Sequence, residues 1–406
     1  MTMLGVLLLS LTVLLLLAVP VAFALVLSAT IAVVFVGDID LMIVPQQVYQ
    51  GLDSFLLLAI PLFLLAGELM SQGGMTDRLL GFCNAVFGRF RGGLAMTNVA
   101  SATLMSGISG SAIADTSALG KVLIPAMIKA GYGRGFSAAL TAAANVVGPI
   151  IPPSITFLMI SVLTNLSPLK LFMAAVIPGV LYASAIMLVA VVISRRRGYP
   201  AAEAVNLPGI LREFKLAFWA LAMPVFLIVG IRTGIFNVTE SSAVAVVYAL
   251  MVGLFIHREL NWRKIWLALV SSARGTAVIM IILGGAQVVS WFLAYEQAPQ
   301  RIAEWMLGSI GSPIVFLLLV NVLLLLVGTF MENGPSLVLL CPVLYPVAAK
   351  FGILIKDAQA LEVAHTVNVV AFDKTGTLTV GQPRLTAWVP VGLTDDEALA
   401  LAAGLQ

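Results

Sequence analysis

One stretch constrains the fold more than any other. It is Ser106-Gly107-Ile108-Ser109-Gly110-Ser111-Ala112-Ile113-Ala114-Asp115, continuing through Thr116-Ser117-Ala118-Leu119-Gly120, a run of tiny and polar residues inside an apolar sequence. With 61% hydrophobic and 10% charged residues over 406 positions and a mean hydropathy of +1.08, the surroundings read as an all-α polytopic membrane protein. Gly93 to Ser106 is about 14 residues, or about 21 Å of helix, and Thr116 to Ala130 about 15, so neither flank crosses a hydrocarbon core of about 30 Å. These lengths predict two short helical arms over about residues 93–130, meeting at a non-helical tip near mid-membrane.

Backbone that leaves helical geometry at that depth is tolerated only where protein, water or a bound ion satisfies its N–H and C=O groups. The tip is therefore a candidate binding site. Its glycines permit close approach, its serines offer hydroxyls, and Asp115 costs about 2.5–3.5 kcal/mol on insertion scales. A packing seam of small residues would account for the glycines and serines but not for the aspartate.

Leu4 to Val36 is apolar, too long for one untilted crossing, with Pro20 as the natural break; it reads either as one bent span or as two short ones. It lacks a basic leading segment and is expected to be retained. Asp38, Asp40 and Asp53 mark an outer loop, after which Ser54 to Met70 runs inward. Arg78, Arg89 and Arg91 before the hairpin, and Lys129 and Arg134 after it, mark both its ends as cytoplasmic, so the hairpin re-enters rather than crosses. Phe136 to Leu163 returns outward but contains Asn145-Val146-Val147-Gly148-Pro149-Ile150-Ile151-Pro152-Pro153, which predicts a span broken near its middle. Leu169 to Ile193 ends at Arg195-Arg196-Arg197, the strongest orientation marker, and residues 198–212 read as a cytoplasmic linker. Phe214 to Val229 and Ser241 to Ile256 follow as spans, and Trp262 and Trp266 fit an interfacial helix ahead of a span from Ala273 to Ala294. His257 reads as an interfacial loop residue, and Ala298 to Gly308 as a short surface helix. The basic residues are spread through loops and argue for orientation, not for nucleic acid. Cys83 and Cys341 are far apart in apolar surroundings, so neither a disulfide nor a metal site is expected.

Ser312 to Lys350 is a second hairpin, whose tip is Gly328-Thr329-Phe330-Met331-Glu332-Asn333-Gly334-Pro335. A shift of 221 positions brings Gly107 onto Gly328, Pro125 onto Pro346, Lys129 onto Lys350 and Gly131 onto Gly352. With the second hairpin entering from the outside, residues 1–197 and 213–352 read as inverted repeats, an arrangement common in secondary transporters.

The Ser106 to Asp115 run, the Gly148 to Pro153 break and the Gly328 to Pro346 segment together resemble the large membrane subunit of tripartite ATP-independent periplasmic (TRAP) transporters over about residues 1–352. The resemblance implies an elevator-type carrier in the bacterial inner membrane. It would be driven by Na⁺, need no other cofactor, and take small organic acids such as C4-dicarboxylates or sugar acids. Its partners would be a periplasmic binding protein, a small membrane subunit and membrane lipid. It also implies an ion and substrate region at Ser106, Gly107, Ser109, Ser111 and Asp115, at Asn145, Gly148, Pro152 and Pro153, and at Gly328, Thr329, Glu332 and Asn333.

The family pattern includes a second broken span after the second hairpin, but the 221-residue shift lands on Thr366 to Lys374, which contains no proline. From residue 353 the chain instead resembles the start of a P-type ATPase phosphorylation domain of the heavy-metal branch. The carrying motif is Asp373-Lys374-Thr375-Gly376-Thr377-Leu378-Thr379, preceded by the strand-like Val367 to Phe372, so a small α/β-like fragment is expected. Asp373 would be the aspartyl-phosphate position. Phosphoryl transfer also needs a nucleotide site and Mg²⁺ ligands, and the residues that follow carry neither motif. The combination reads as a hybrid chain whose ATPase-like part is inactive and whose transport is weak or absent.

Overall fold

The structure is a computed structural model describing residues 3–36, 39–201, 207–298, 301–302, 304, 312–329, 331 and 333–351. The side chains of residues 36, 108 and 109 are outside that description. The chain divides into two units, Met1–Ile353 and Leu354–Gln406; the ATPase-like stretch with Asp373, together with Glu332, falls outside the described residues.

Among the described residues the fold is helical, with no strand. The apolar N-terminal stretch forms two helices, α1 (Met3–Leu16) and α2 (Val21–Val36), because Pro20 cannot donate to a continuing ladder; the two pack on each other. Next come the short α3 (Ile43–Leu52) and a 3₁₀ turn, Phe55–Leu58, that runs into α4 (Ala59–Gln72), giving an 18-residue apolar rod over Phe55–Gln72. After α5 (Met75–Phe87), the first hairpin consists of α6 (Gly93–Ser109) and α7 (Ala112–Lys129). The broken span is α8 (Arg134–Asn145) and α9 (Ile155–Thr164). The long α10 (Pro168–Arg196), α11 (Leu207–Arg232), α12 (Val238–Met251) with a π-turn over Val252–Ile256, and α13 (Trp262–Tyr295) follow. The second hairpin is α14 (Pro313–Gly328) and α15 (Asn333–Lys350). Five of the described helices are long and apolar enough to cross a membrane, as an all-α polytopic protein requires.

Two sequence-based boundaries move. The linker expected over 198–212 is shorter, because α11 already starts at Leu207, with Pro208 in its first turn where a missing N–H costs nothing. The interfacial helix and the span expected after it are one 34-residue helix, α13. No proline interrupts Trp262 to Tyr295, each internal glycine costs only about 1 kcal/mol, and the Asn261 side chain caps the start by accepting from the Lys264 N–H at 2.9 Å.

Helix α4 packs against both α12 and α13, with α2 and α3 against α13, and α5 joins α11 to α6. The first hairpin lies on α8 and α10. Loops that are basic in sequence meet in two clusters. In one, three basic groups bond successive carbonyls at the end of α4: Lys264 Nζ donates to Gln72 O at 3.0 Å, His257 Nδ1 bonds Gly73 O at 3.1 Å, and Arg78 Nη1 donates to Gly74 O at 2.7 Å. Arg78 also pairs with Glu259 at 2.7 Å. Of these, the cations Lys264 and Arg78 meet both the free carbonyls at the helix C-terminus and its dipole. In the other cluster, the Gly92 N–H donates to Pro200 O at 3.2 Å and the Gly133 N–H to Tyr199 Oη at 3.3 Å. The Tyr199 ring stacks on Tyr132 at 4.2 Å between centroids. Both feet of the first hairpin are thereby tied to the segment that follows α10.

Candidate functional site

The first tip is tighter than its sequence predicts. The helices reach inward from both sides until only Gly110 and Ser111 are left outside them; Ser106, Gly107 and Ser109 end α6, and Asp115 sits in the first turn of α7. Gly110 makes the reversal with φ +61°, a left-handed conformation that glycine adopts without a steric penalty, and its N–H donates to Ser106 O at 3.2 Å. Ser111 caps α7, its hydroxyl accepting from the Ala114 N–H at 3.4 Å. The buried Asp115 is thus at a helix N-terminus, where the dipole favours an anion.

The tip is seated in the broken span. A Cβ on Gly110 would lie 2.9 Å from Pro153 O, and one on Gly148 would lie 3.1 Å from the Ala112 nitrogen, so backbone touches backbone at both points. Gly107 lies against Pro224 of α11 and the Pro152 carbonyl. The break itself is held by Ser154, whose hydroxyl donates to Pro149 O at 2.6 Å and accepts from the Phe157 N–H at 3.4 Å. The second hairpin reaches the same region: Asn333 Nδ2 donates to Thr156 Oγ1 at 3.1 Å, just past the break. Sites that lie far apart in sequence (Gly110 and Ser111, Gly148 to Pro153, and Asn333) therefore converge.

Not every expected residue joins them. Ser106 donates to Thr103 O at 2.7 Å, and the exposed Thr329 to Leu326 O at 2.7 Å, so both hydroxyl protons are turned back into their own helices. Gly328 has no neighbour within 4 Å of where a Cβ would stand, unlike Gly107, its counterpart by the 221-residue shift. Among the described residues, no broken span lies against the tip of α14. The Ser109 side chain and Glu332 lie outside the described residues.

Two polar residues absent from the sequence-based set, Asn98 and Thr141, are bonded into one buried chain with Asn145, which belongs to it. Asn98 Nδ2 donates to Thr141 Oγ1 at 2.7 Å, Thr141 Oγ1 donates to Ser137 O at 2.8 Å, and Asn145 Nδ2 donates to Thr141 O at 2.7 Å, all in full burial. The side-chain oxygens of Asn98 and Asn145 have no hydrogen-bond partner among the described residues. Buried amide oxygens without partners are costly, and they suit a cation or a hydroxyl-bearing ligand. The i, i+4 spacing of Thr141 and Asn145 on an alanine-rich helix is a signal that could have drawn attention to this face.

Residues 8–371 match the family model described as "Tripartite ATP-independent periplasmic transporter, DctM component". The chain belongs to this family. The match ends later than residue 352, where the sequence-based resemblance stopped. It is 36% identical over 334 residues to the 2,3-diketo-L-gulonate TRAP transporter large permease protein YiaN of Escherichia coli K12, covering 82% of this chain and 79% of that one. It is 37% identical over 334 residues to the sialic acid TRAP transporter large permease protein SiaM of Vibrio cholerae, covering 82% and 78%. Identity to the C4-dicarboxylate TRAP transporter large permease protein DctM of Pseudomonas aeruginosa is 37% over 307 residues, covering 76% and 72%. As a TRAP large permease subunit the chain is an inner-membrane transport protein and not an enzyme.

Proposed function

We propose that this permease carries a small organic acid inward together with Na⁺, by an elevator movement of the first hairpin and broken span past α4, α12 and α13. A periplasmic binding protein delivers the acid, and a small membrane subunit accompanies the permease. The two hairpins act as inverted repeats: moving Ala112 and Lys129, the ends of α7, by 221 gives Asn333 and Lys350, the ends of α15. The observation that carries the reading is the seating of Gly110 and Ser111 on Gly148 and Pro153, close to the buried amide oxygen of Asn145, which has no hydrogen-bond partner among the described residues. Hard cations take carbonyl, hydroxyl and carboxylate oxygens, and Ser111, Asp115 and Asn145 would supply them on one side and Asn333 on the other, with Ser109 and Glu332 as further oxygen donors expected from the sequence. Gly107, Gly148, Pro152 and Pro153 shape the backbone around the site. The cargoes in the names of the three relatives, sialic acid, 2,3-diketo-L-gulonate and C4-dicarboxylates, all carry a carboxylate, which supports an organic acid here.

The test is uptake of labelled organic acids into proteoliposomes holding this chain, the small subunit and the binding protein. Uptake should rise with an inward Na⁺ gradient and fall in Asp115→Asn. The rate should be low, because residues 366–374 contain no proline with which to break a second span. Uptake indifferent to Na⁺ would overturn the coupling.

A further inference from the structure

A cavity of about 240 Å³ lies between α4 and α7, beside the first tip. Its polar lining is Glu68 and Ser71 from α4, and Ser111, Asp115, Ser117 and Lys121 from the tip and α7. Ser117 and Lys121 are exposed, Glu68 and Ser71 half-buried and Asp115 buried, so the polar lining grades from open to enclosed. Glu68 is held in place by the Ser271 hydroxyl of α13, which donates to its Oε1 at 2.7 Å. The polar groups of this cavity come from two elements that the proposed movement would slide past each other.

Among the described residues, the lining holds one cation, two carboxylates and three hydroxyls. We infer that this cavity selects a monocarboxylate bearing several hydroxyl groups over a dicarboxylate, with Lys121 facing the single carboxylate and Glu68 accepting from the hydroxyl-bearing end. This rests on the organic-acid reading above and narrows it. An ionised carboxylate accepts hydrogen bonds and cannot donate them, so Glu68, which already accepts from Ser271 at one oxygen, can take a further bond from a cargo hydroxyl but not from a second carboxylate. A dianion would present its second charge to like charges, with no second cation among the described lining residues to meet it. A bound Na⁺ beside Asp115 would bring the lining to neutrality, still leaving a single lysine for two carboxylates.

The full chain, purified in lipid nanodiscs in NaCl, can be tested by its thermal unfolding midpoint with D-gluconate and with succinate as probes. D-gluconate should stabilise at a concentration about tenfold lower than succinate. Lys121→Gln should abolish the gluconate shift, and Glu68→Gln should bring the two probes to within a few-fold of each other; both variants should keep the parent midpoint without added anion. Equal or stronger stabilisation by succinate would overturn the inference. So would a gluconate response unchanged in Lys121→Gln, or no response to either anion. The Na⁺-gradient experiment reads coupling whichever anion is carried, so it can succeed while this assignment fails.

Discussion

Gly110 and Gly148 have the least room for change among the site residues. A side chain at Gly110 would meet both a left-handed φ of +61° and a carbonyl 2.9 Å from its Cβ. Gly110→Ala should cost about 1–2 kcal/mol from backbone conformation alone, and more from the contact, read as a lower unfolding midpoint and loss of uptake. Gly148→Ala, with ordinary backbone but neighbours at 3.1–3.3 Å, should cost less and shift the hairpin by a few tenths of an ångström. His257 makes a separate prediction. Burial pushes its imidazole below the ordinary value near 6.5, reinforced by Arg78, while the bond to Gly73 O opposes the shift. The folded state thus binds this proton less well than the unfolded state, so stability is fully present above about pH 6.5 and declines as pH falls toward the folded value. His257→Gln should flatten that decline in midpoint between about pH 7 and pH 5, whereas an unchanged slope would assign it to other groups.

At the scale of elements, ends and ties matter more than propensity. Helix α12 starts with a capping box: the Glu240 N–H donates to Asn237 Oδ1 and the Asn237 N–H to Glu240 Oε2, each at 2.8 Å. Asn237→Ala should cost about 1 kcal/mol and Asn237→Ser almost nothing, measured as shifts in unfolding midpoint. The first hairpin depends on the Tyr199 clasp, where one buried ring stacks on Tyr132 and its hydroxyl accepts from Gly133 N–H and, at 3.4 Å, from Arg197 Nη1. Tyr199→Ala should cost about 3–5 kcal/mol, as for other buried aromatics, and speed hydrogen exchange at both hairpin feet; Tyr199→Phe keeps the stack and should lose far less. The hairpins and the broken span were legible because prolines, glycines and arm lengths are local signals. The two-residue tip was not, since its helix ends are set by what Gly110 and Ser111 rest on.

Across the whole molecule, loops read as cytoplasmic from their basic residues come together through bonds between residues more than a hundred positions apart, such as Lys264 to Gln72. Single cysteines at Arg91 and Arg196 should therefore react with an impermeant thiol reagent from the same side in oriented vesicles, and reaction from opposite sides would overturn the topology. Labelled ATP should leave Asp373 unlabelled, whereas label that disappears in Asp373→Asn would show phosphoryl transfer to that aspartate. The convergence of Asn98 with Thr141, and of Asn333 with Thr156, was not legible in sequence. Pairs separated by 43 and 177 positions leave no periodic trace in either segment.

The sequence alone determined the solvent and the segmentation. Apolar transfer, arm length and proline's missing donor act within a few residues, so membrane class, hairpins and break points follow from local composition. Only the tertiary structure decided which oxygens are left over and which charges share a cavity. Those outcomes depend on how α4, α6, α7, α8 and α15 pack, and packing is a property of surfaces that meet only once the chain has folded.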